Sequence, residues 1–486
     1  MQLICEGHPQ ISSLSEGLLV VLNHPTVLDQ PVLQGGSDAD ASGASIYGSV
    51  MRDGGVFRMW YQAWPRDWDG TDTVAVGCVE SDDGLSWRRP NYGLIECCGA
   101  RKNQLTDLPF HCPSVMIDPD AEPSARYRAF GYADPGKLGN KYAYKVNESG
   151  YYTAHSADGL HWVLDSPEPL WPYADVITSV WDSPSGCARI AMKKTHRIRG
   201  LGRRAFLTAT WSQGVASEPV SALIPDEYDD IMAQQRGFNS ADYYGVGLMP
   251  TAGPTIGFLW NFRHQLPLGY YQPETMRHGD IGRVDLSIVY QTERGGRWRP
   301  VPGRPDWLSA NDAPDWARGA LYTAAYPLDV GDETWLYFCG TRDRHGWCGH
   351  GIDHTAMTQA ATTEGGSIKI GLARWPRNRI MGYESTLVDV ISLLPGQPTQ
   401  PGGRLALNVV TCPGGTVRAR LLDANGKALS GYGFEDCQVI TGDHLEAMVR
   451  WRGKPNLPGV TPRQSIMAQI ELSRATLYAF DFQLAK

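Results

Sequence analysis

Long apolar runs, paired cysteines and surplus basic charge are all missing from this chain. Nowhere in its 486 residues do about eighteen apolar side chains follow one another, so no segment has the length to cross a bilayer as a helix. The ten cysteines are scattered. Cys97 and Cys98 are adjacent and no Cys-x-x-Cys pair occurs, which gives neither a zinc spacing nor a disulfide framework; reduced, mostly buried thiols are expected. A net charge of −8 and no basic run argue against a polyanionic partner, so neither nucleic acid nor membrane is expected as a partner. The first residues, MQLICEGHPQ, lack a cationic segment followed by an apolar one. A cytoplasmic protein is the simplest expectation, although an export signal already removed leaves the same sequence.

Aromatic residues are abundant, with 16 Trp and 22 Tyr. They suit sheet cores, and they also suit sugar clefts, where an indole face packs on the C–H face of a pyranose or furanose. From Val56 to Pro90 an alternating strand (Phe57, Met59, Tyr61) leads through a polar loop to a second strand (Val74, Val76, Cys78) and a Ser81-Asp82-Asp83-Gly84 turn closed by Trp87. This is antiparallel β-structure with tight turns. The pattern returns at YRAFGYAD with AHSADGLHW, at ARIAMKKT with LTATWSQG, at TIGFLWNF with SIVYQTERGGRW and at TWLYFCGT with IKIGLARWPRNR. Five sheet-sized units, about sixty to eighty residues apart, are the signature of a β-propeller; the competing arrangement is a sandwich of unrelated hairpins. In each pair the first strand reads as the inner one.

Residues 1–37 read as a lead-in that closes the ring or packs on it, and residues 38–383 as the propeller. Residues 384–486 lose the Asp-Gly-Trp repeat and carry strands joined by Gly, Pro and Asn turns, which fits a β-sandwich better than a sixth blade. The fold class expected is therefore all-β, a five-bladed β-propeller followed by a β-sandwich.

The phrases FRMWYQAW…VAVGCVESDDGLSWRRP, AHSADGLHW and GFEDCQVITGDHLEAMVRW…IELSRATLYAFDF resemble the five-bladed propeller glycosidases of families 32 and 43, the invertases, levanases, arabinanases and β-xylosidases. The resemblance covers nearly the whole chain and implies a carbohydrate substrate. It implies a glycoside hydrolase acting on a terminal furanoside or short oligosaccharide, or else a propeller phosphorylase or a carbohydrate-binding propeller with a degenerate site. The invertase motifs Asn-Asp-Pro-Asn-Gly, Arg-Asp-Pro and Glu-Cys are absent. No cofactor is called for, and the resemblance allows a structural calcium in the axial channel.

Glycoside cleavage needs one carboxylic acid at the leaving oxygen and one carboxylate on the opposite face. In a propeller these come from strand starts facing the axis. Asp40, with Asp38 beside it in a Gly/Ser/Asp turn, takes the position of the base or nucleophile by resemblance; a solvated turn is the plainer alternative. Asp175, among Trp171, Tyr173 and Val176, resembles the third carboxylate that tunes the acid. Asp242 stands where the resembling enzymes place a Glu as acid, with Glu227 as the alternative. Arg236, Trp260, Arg263 and His345 are candidate subsite residues, each with an ordinary structural explanation beside it. Arg197, Arg199, Arg203 and Arg204 read as a solvated basic loop, or as a channel to an acidic sugar. His345, His350, Asp353 and His354 lack a closed zinc spacing, so no metal site is assigned.

Overall fold

A computed structural model describes residues 1–68, 75–138, 142–198, 200–265, 282–345, 368–396, 402–458 and 466–483. Arg199, His350, Asp353 and His354 lie outside them. The structure is 54% strand and 5% helix, which makes it the expected all-β class.

Five blades follow one another along the chain; blades 2 and 3 are separate sheets, and single parallel pairs, Val284 with Ala320 and Ile368 with Gly43, join blades 4, 5 and 1 into one. Blade 1 holds Gly43–Asp53, Val56–Trp64 and Val76–Ser81; blade 2 holds His111–Ile117, Tyr127–Ala133, Gly150–Ser156 and Val163–Leu164. Blade 3 holds Ile177–Asp182, Cys187–Ile198 and Leu201–Ser212, edged by Val215–Ala216 and Val220–Leu223. Blade 4 holds Ser240–Pro250, Thr255–His264 and Gly282–Gln291, edged by Trp298–Pro300 and Asp306–Leu308. Blade 5 holds Ala320–Thr323, Glu333–Thr341 and Ile368–Pro376. The strands read from the repeat as innermost are the second strands of their blades. The true inner strands precede them and are rich in small residues, which hides them from a search for aromatic alternation.

The inner strands are tied to one another around the whole ring. Ser49 Oγ accepts the Val115 amide at 2.9 Å, Ser114 Oγ accepts the Ser179 amide at 2.7 Å, and Thr178 Oγ1 donates to the Val246 carbonyl at 2.6 Å. Leu248 then donates to the Ala325 carbonyl at 2.7 Å, and Ala325 to the Gly48 carbonyl at 2.9 Å, which completes the circuit from blade 1 to blade 5 and back. Such close approach excludes side chains. A Cβ on Gly247 meets Thr323 Oγ1 at 2.5 Å and the Ala324 carbonyl at 2.8 Å.

The repeated turn has one wiring in both full copies. Ser81 Oγ accepts the Gly84 amide at 2.8 Å while Asp83 Oδ1 accepts the amides of Leu85 and Ser86, each at 2.8 Å. Ser156 and Asp158 repeat this on Gly159, Leu160 and His161 at 2.8, 2.8 and 2.9 Å. Both glycines have positive φ, +73° and +78°, which is what Gly permits at no steric cost. Each turn then grips the preceding blade: Tyr337 of blade 5 donates to the Gly84 carbonyl and Trp60 of blade 1 to the Gly159 carbonyl, both at 2.7 Å. The motif recurs because it is an inter-blade clamp.

The lead-in divides its strands. Thr26–Val27 adds to the outer strand Ile368–Pro376 of blade 5, so the first part of the chain supplies the last strand of the ring. Gln2–Leu3, Ile11–Leu14 and Leu19–Leu22 instead pair in the C-terminal sheet, with Met467–Gln483 and Met381–Leu393. That sheet is dominated by Arg404–Leu422 and Met467–Gln483, whose register shifts between Thr411 and Thr416. The bulge lets two halves of the same strands enclose one core around Leu405, Leu407, Val417, Ile470, Phe480 and Trp451.

Candidate active site

Inner strands, second strands and loops of the five blades bring side chains together near the axis. Tyr47 (blade 1) stacks on Trp260 (blade 4) at 5.6 Å and 26°, and meets His111 (blade 2) at 5.9 Å and Tyr322 (blade 5) at 5.2 Å, edge to face. Tyr244 of blade 4 contacts Tyr322 at 5.7 Å and His345 at 4.8 Å, and the Tyr322 hydroxyl lies 2.9 Å from His345 Nδ1. The result is an aromatic floor. Burial holds the Tyr47 and Tyr244 phenols well above their usual pKa, so both remain hydrogen-bond donors.

Blade 3 sets a carboxylate against this floor. Asp175 pairs with Lys193, whose ammonium also lies 4.3 Å from the centre of the Tyr244 ring. The pair is positioned from behind: the Lys193 amide donates to the Val176 carbonyl at 2.9 Å, and the buried Tyr151 hydroxyl lies 2.9 and 3.2 Å from the carbonyls of Val176 and Lys193. Burial, the largest influence on Asp175, pushes its pKa up. The nearby charges of Lys193, His111 and Arg204 outweigh it and hold the carboxyl well below the usual range. About a third of its side chain, 31%, stays accessible. Asp175 is thus an ionised carboxylate whose Oδ1 is buried against Lys193 while the rest of the side chain stays partly accessible.

Asp242 is different. Its side chain is 1% exposed, with Oδ1 accepting Arg203 Nε at 2.7 Å and Oδ2 lying 3.1 Å from the Arg204 amide and 3.0 Å from His264 Nε2. Burial opposes its charge, and His264 and Arg203 more than offset that, so its pKa falls. A general acid must hold a proton at working pH, which this pairing opposes; the residue anchors Arg203 and Arg204 instead. Arg204 lies 5.6 Å over Tyr244 and 5.0 Å over Phe262, at the edge of the same floor.

Asp40 is not presented to the axis as a base. It is 0% exposed, and its oxygens accept Gly36 and Ser37 amides, Ser37 Oγ, Tyr61 OH at 2.7 Å and Arg89 Nε at 2.8 Å. Five donors fix the loop that feeds blade 1. Asp38, exposed, pairs with Arg66. Glu227 is exposed at the start of the helix Glu227–Gln235, and Arg236 caps that helix and reaches Asp306 at 3.4 Å. Trp260 and Arg263 lie within the second strand of blade 4, each 1% exposed. Trp260 is part of the floor, its indole N–H donating to Thr323 Oγ1 at 2.9 Å. Arg263 is no subsite residue: its guanidinium is enclosed by Asp285 and Asp306. His345 does face the floor.

The structure thus brings Asp175, Trp260 and His345 together and separates Asp40, Asp38 and Arg263 from them. Sequence reasoning missed Tyr47, His111, Lys193, Tyr244 and Tyr322. A signal existed for some of them, since Tyr47, His111 and Tyr322 stand in or open the small-residue strands ahead of each repeat. A resident cation does not suit the axis: the donor set offers one carboxylate already against an ammonium, whereas calcium takes six to eight oxygens, and no cluster of three or more metal-ligating side chains occurs among the described residues. None of the described helices is long and apolar enough to cross a membrane.

No family model and no curated protein matches the chain. Among solved structures, a family 43 arabinoxylan arabinofuranohydrolase from Bacillus subtilis aligns with TM-score 0.38 and 10% identity, over 92% of this chain and 96% of the other. A family 32 β-fructofuranosidase from Bombyx mori gives 0.40 and 11% over 96% of both chains. An N-acetylgalactosamine deacetylase from F. plautii gives 0.43 and 14% over 74% of this chain and 96% of the other.

Proposed function

We propose that the protein cleaves a glycoside whose terminal sugar, of furanoside or short-oligosaccharide type, enters the axial pocket. The observation that carries this reading is Asp175, a charged and partly accessible carboxylate beside tyrosine and tryptophan rings drawn from blades 1, 4 and 5. Sugars match the accessible edge of this cluster: Tyr47 and His345, both half-buried, offer a ring face and polar groups to the sugar, while the buried rings of Trp260, Tyr244 and Tyr322 hold them in place. An oxocarbenium-like transition state is positively charged at the anomeric carbon, and a carboxylate held ionised by Lys193 stabilises that charge as it develops. Asp175 then acts as nucleophile or as base toward water, His345, beside the Tyr322 hydroxyl at 2.9 Å, gives the leaving oxygen its proton, and Asp242 serves as a positioning residue through Arg203 and Arg204.

A second reading, a carbohydrate-binding propeller without turnover, is favoured by one specific feature. Asp40 and Asp242, the other carboxylates at strand starts, are both enclosed by cations. Wild type and Asp175→Asn, given a panel of aryl furanosides, xylosides, fructosides and mannosides with and without phosphate, separate the two. Turnover that falls at least about a hundredfold in Asp175→Asn, with sugar-induced tryptophan quenching retained, supports cleavage. Quenching without turnover in wild type supports the binder. Turnover that survives the substitution removes Asp175 from the chemistry.

A further inference from the structure

We propose that the cleft on the flank of the ring, between the outer strands of blades 4 and 5, is a second carbohydrate site that takes a neutral oligosaccharide away from the axis. Three segments build it: residues 24–30 of the lead-in, the blade 4 edge Asp306–Leu308 and the loop that runs on through Trp316. Its volume is about 820 Å³, within the size range of small-molecule pockets. None of its lining residues belongs to the axial cluster.

The lining selects a ligand rich in hydroxyl donors. His24 Nδ1 lies 2.9 Å from the Trp307 carbonyl, so that nitrogen carries a proton and the ring is held in place. Asp29, Asp312 and Asp315, all exposed, and Asp306 add carboxylate acceptors, with Arg318 paired to Asp315 at 3.0 Å. Asp306 is held rigid, with Arg263 and Arg236 behind it. Trp316 is anchored by its indole N–H, which donates to the Asp29 carbonyl at 3.0 Å, and by stacking on Phe338 at 5.7 Å and 12°. A fixed indole among acceptors fits a sugar, whose hydroxyls donate and whose C–H face packs on the ring. A bare cation would engage the carboxylates and leave the aromatic wall unused.

Equilibrium binding of neutral hexasaccharides of xylose, arabinose, mannose and glucose to the full chain tests this. The variants are Asp175→Asn, Trp316→Ala and the double substitution Asp29→Asn/Asp312→Asn. At least one hexasaccharide is expected to bind wild type and Asp175→Asn alike, and to bind Trp316→Ala and the double variant at least about tenfold more weakly. The double variant alters only exposed carboxylates and serves if Trp316→Ala fails to fold. Absence of binding by all four sugars overturns the proposal, as does binding that both cleft variants leave unchanged or that Asp175→Asn abolishes. Because the readout is binding, a failed search for turnover at the axis leaves the result interpretable.

Discussion

The substitution Asp242→Asn separates an anchoring carboxylate from a proton donor, because the two roles answer differently to denaturant and pH. Asn keeps the shape but removes the charge, and it turns one acceptor into a donor that faces the Arg203 guanidinium, the Arg204 amide or His264. Hydrogen bonds to charged groups contribute about 1.5–3 kcal/mol each, and stripping one partner from a buried ion pair costs about 3–5 kcal/mol. Arg203 keeps Asp230 as a second partner at 2.9 Å, which limits the loss. A destabilisation of about 3 kcal/mol is therefore expected, readable as a lower urea midpoint by both tryptophan fluorescence and far-ultraviolet circular dichroism. The sign with pH follows from the depressed pKa of Asp242 in the folded state. Its contribution is fully present above the unfolded carboxylate value of about 4 and is lost as pH falls through the lower folded value, so the gap between wild type and variant narrows as pH falls below about 4. Equal urea midpoints at about pH 7, together with turnover reduced at least about a hundredfold, would refute the anchoring role and restore Asp242 as the acid.

Gly247→Ala forces a methyl group into the contact between blades 4 and 5 and is expected to cost about 1–3 kcal/mol; an unchanged melting temperature contradicts the close packing at the axis. Asp83→Ala removes the acceptor of two turn amides. Asp83 is exposed, so the loss is about 0.5 kcal/mol after screening by solvent. The amides of Ser86 and Leu85 bring its pKa down to about 2, so that loss is present above about pH 4 and vanishes as pH approaches 2; a difference that persists in stronger acid denies the hydrogen-bonded origin. Lys193→Met takes away the cation beside Asp175, so the acid limb of any pH–rate profile moves up toward the ordinary carboxylate range. A limb that stays in place shows that Asp175 is not the group titrating.

The blades were legible because their signals are local. The Ser-x-Asp-Gly-x-x-Trp phrase closes its own hydrogen bonds within seven residues, so it survives as a pattern, and its glycines mark positive φ. Blade 3 lacks that phrase, and only the alternation of ARIAMKKT and LTATWSQG marked it. The site was less legible for a physical reason. Asp40, Asp175 and Asp242 look alike in sequence, each near the start of an inner strand, and what distinguishes them is the distant partner. Arg89 reaches Asp40 across 49 residues and Arg203 reaches Asp242 across 39. Lys193 is nearer to Asp175 in sequence, but it belongs to a strand whose own pattern reads only as amphipathic. Tyr244 and His345, in contact at 4.8 Å, come from opposite sides of a segment of about a hundred residues.

The division of the lead-in has a consequence for how the chain can be made and cut. During synthesis Gln2–Leu3, Ile11–Leu14 and Leu19–Leu22 emerge long before their pairing partners in Met381–Leu393 and Met467–Gln483, as Thr26–Val27 does before the Ile368–Pro376 edge that receives it. These edges remain unsatisfied while the ribosome adds more than 340 residues between them, a long exposure for strands that template association with other chains. A fragment trimmed to residues 38–383 opens blade 5, and one trimmed to residues 384–486 strips three edge strands from its sheet. Swapping either part into another protein therefore requires carrying the first 27 residues along with both.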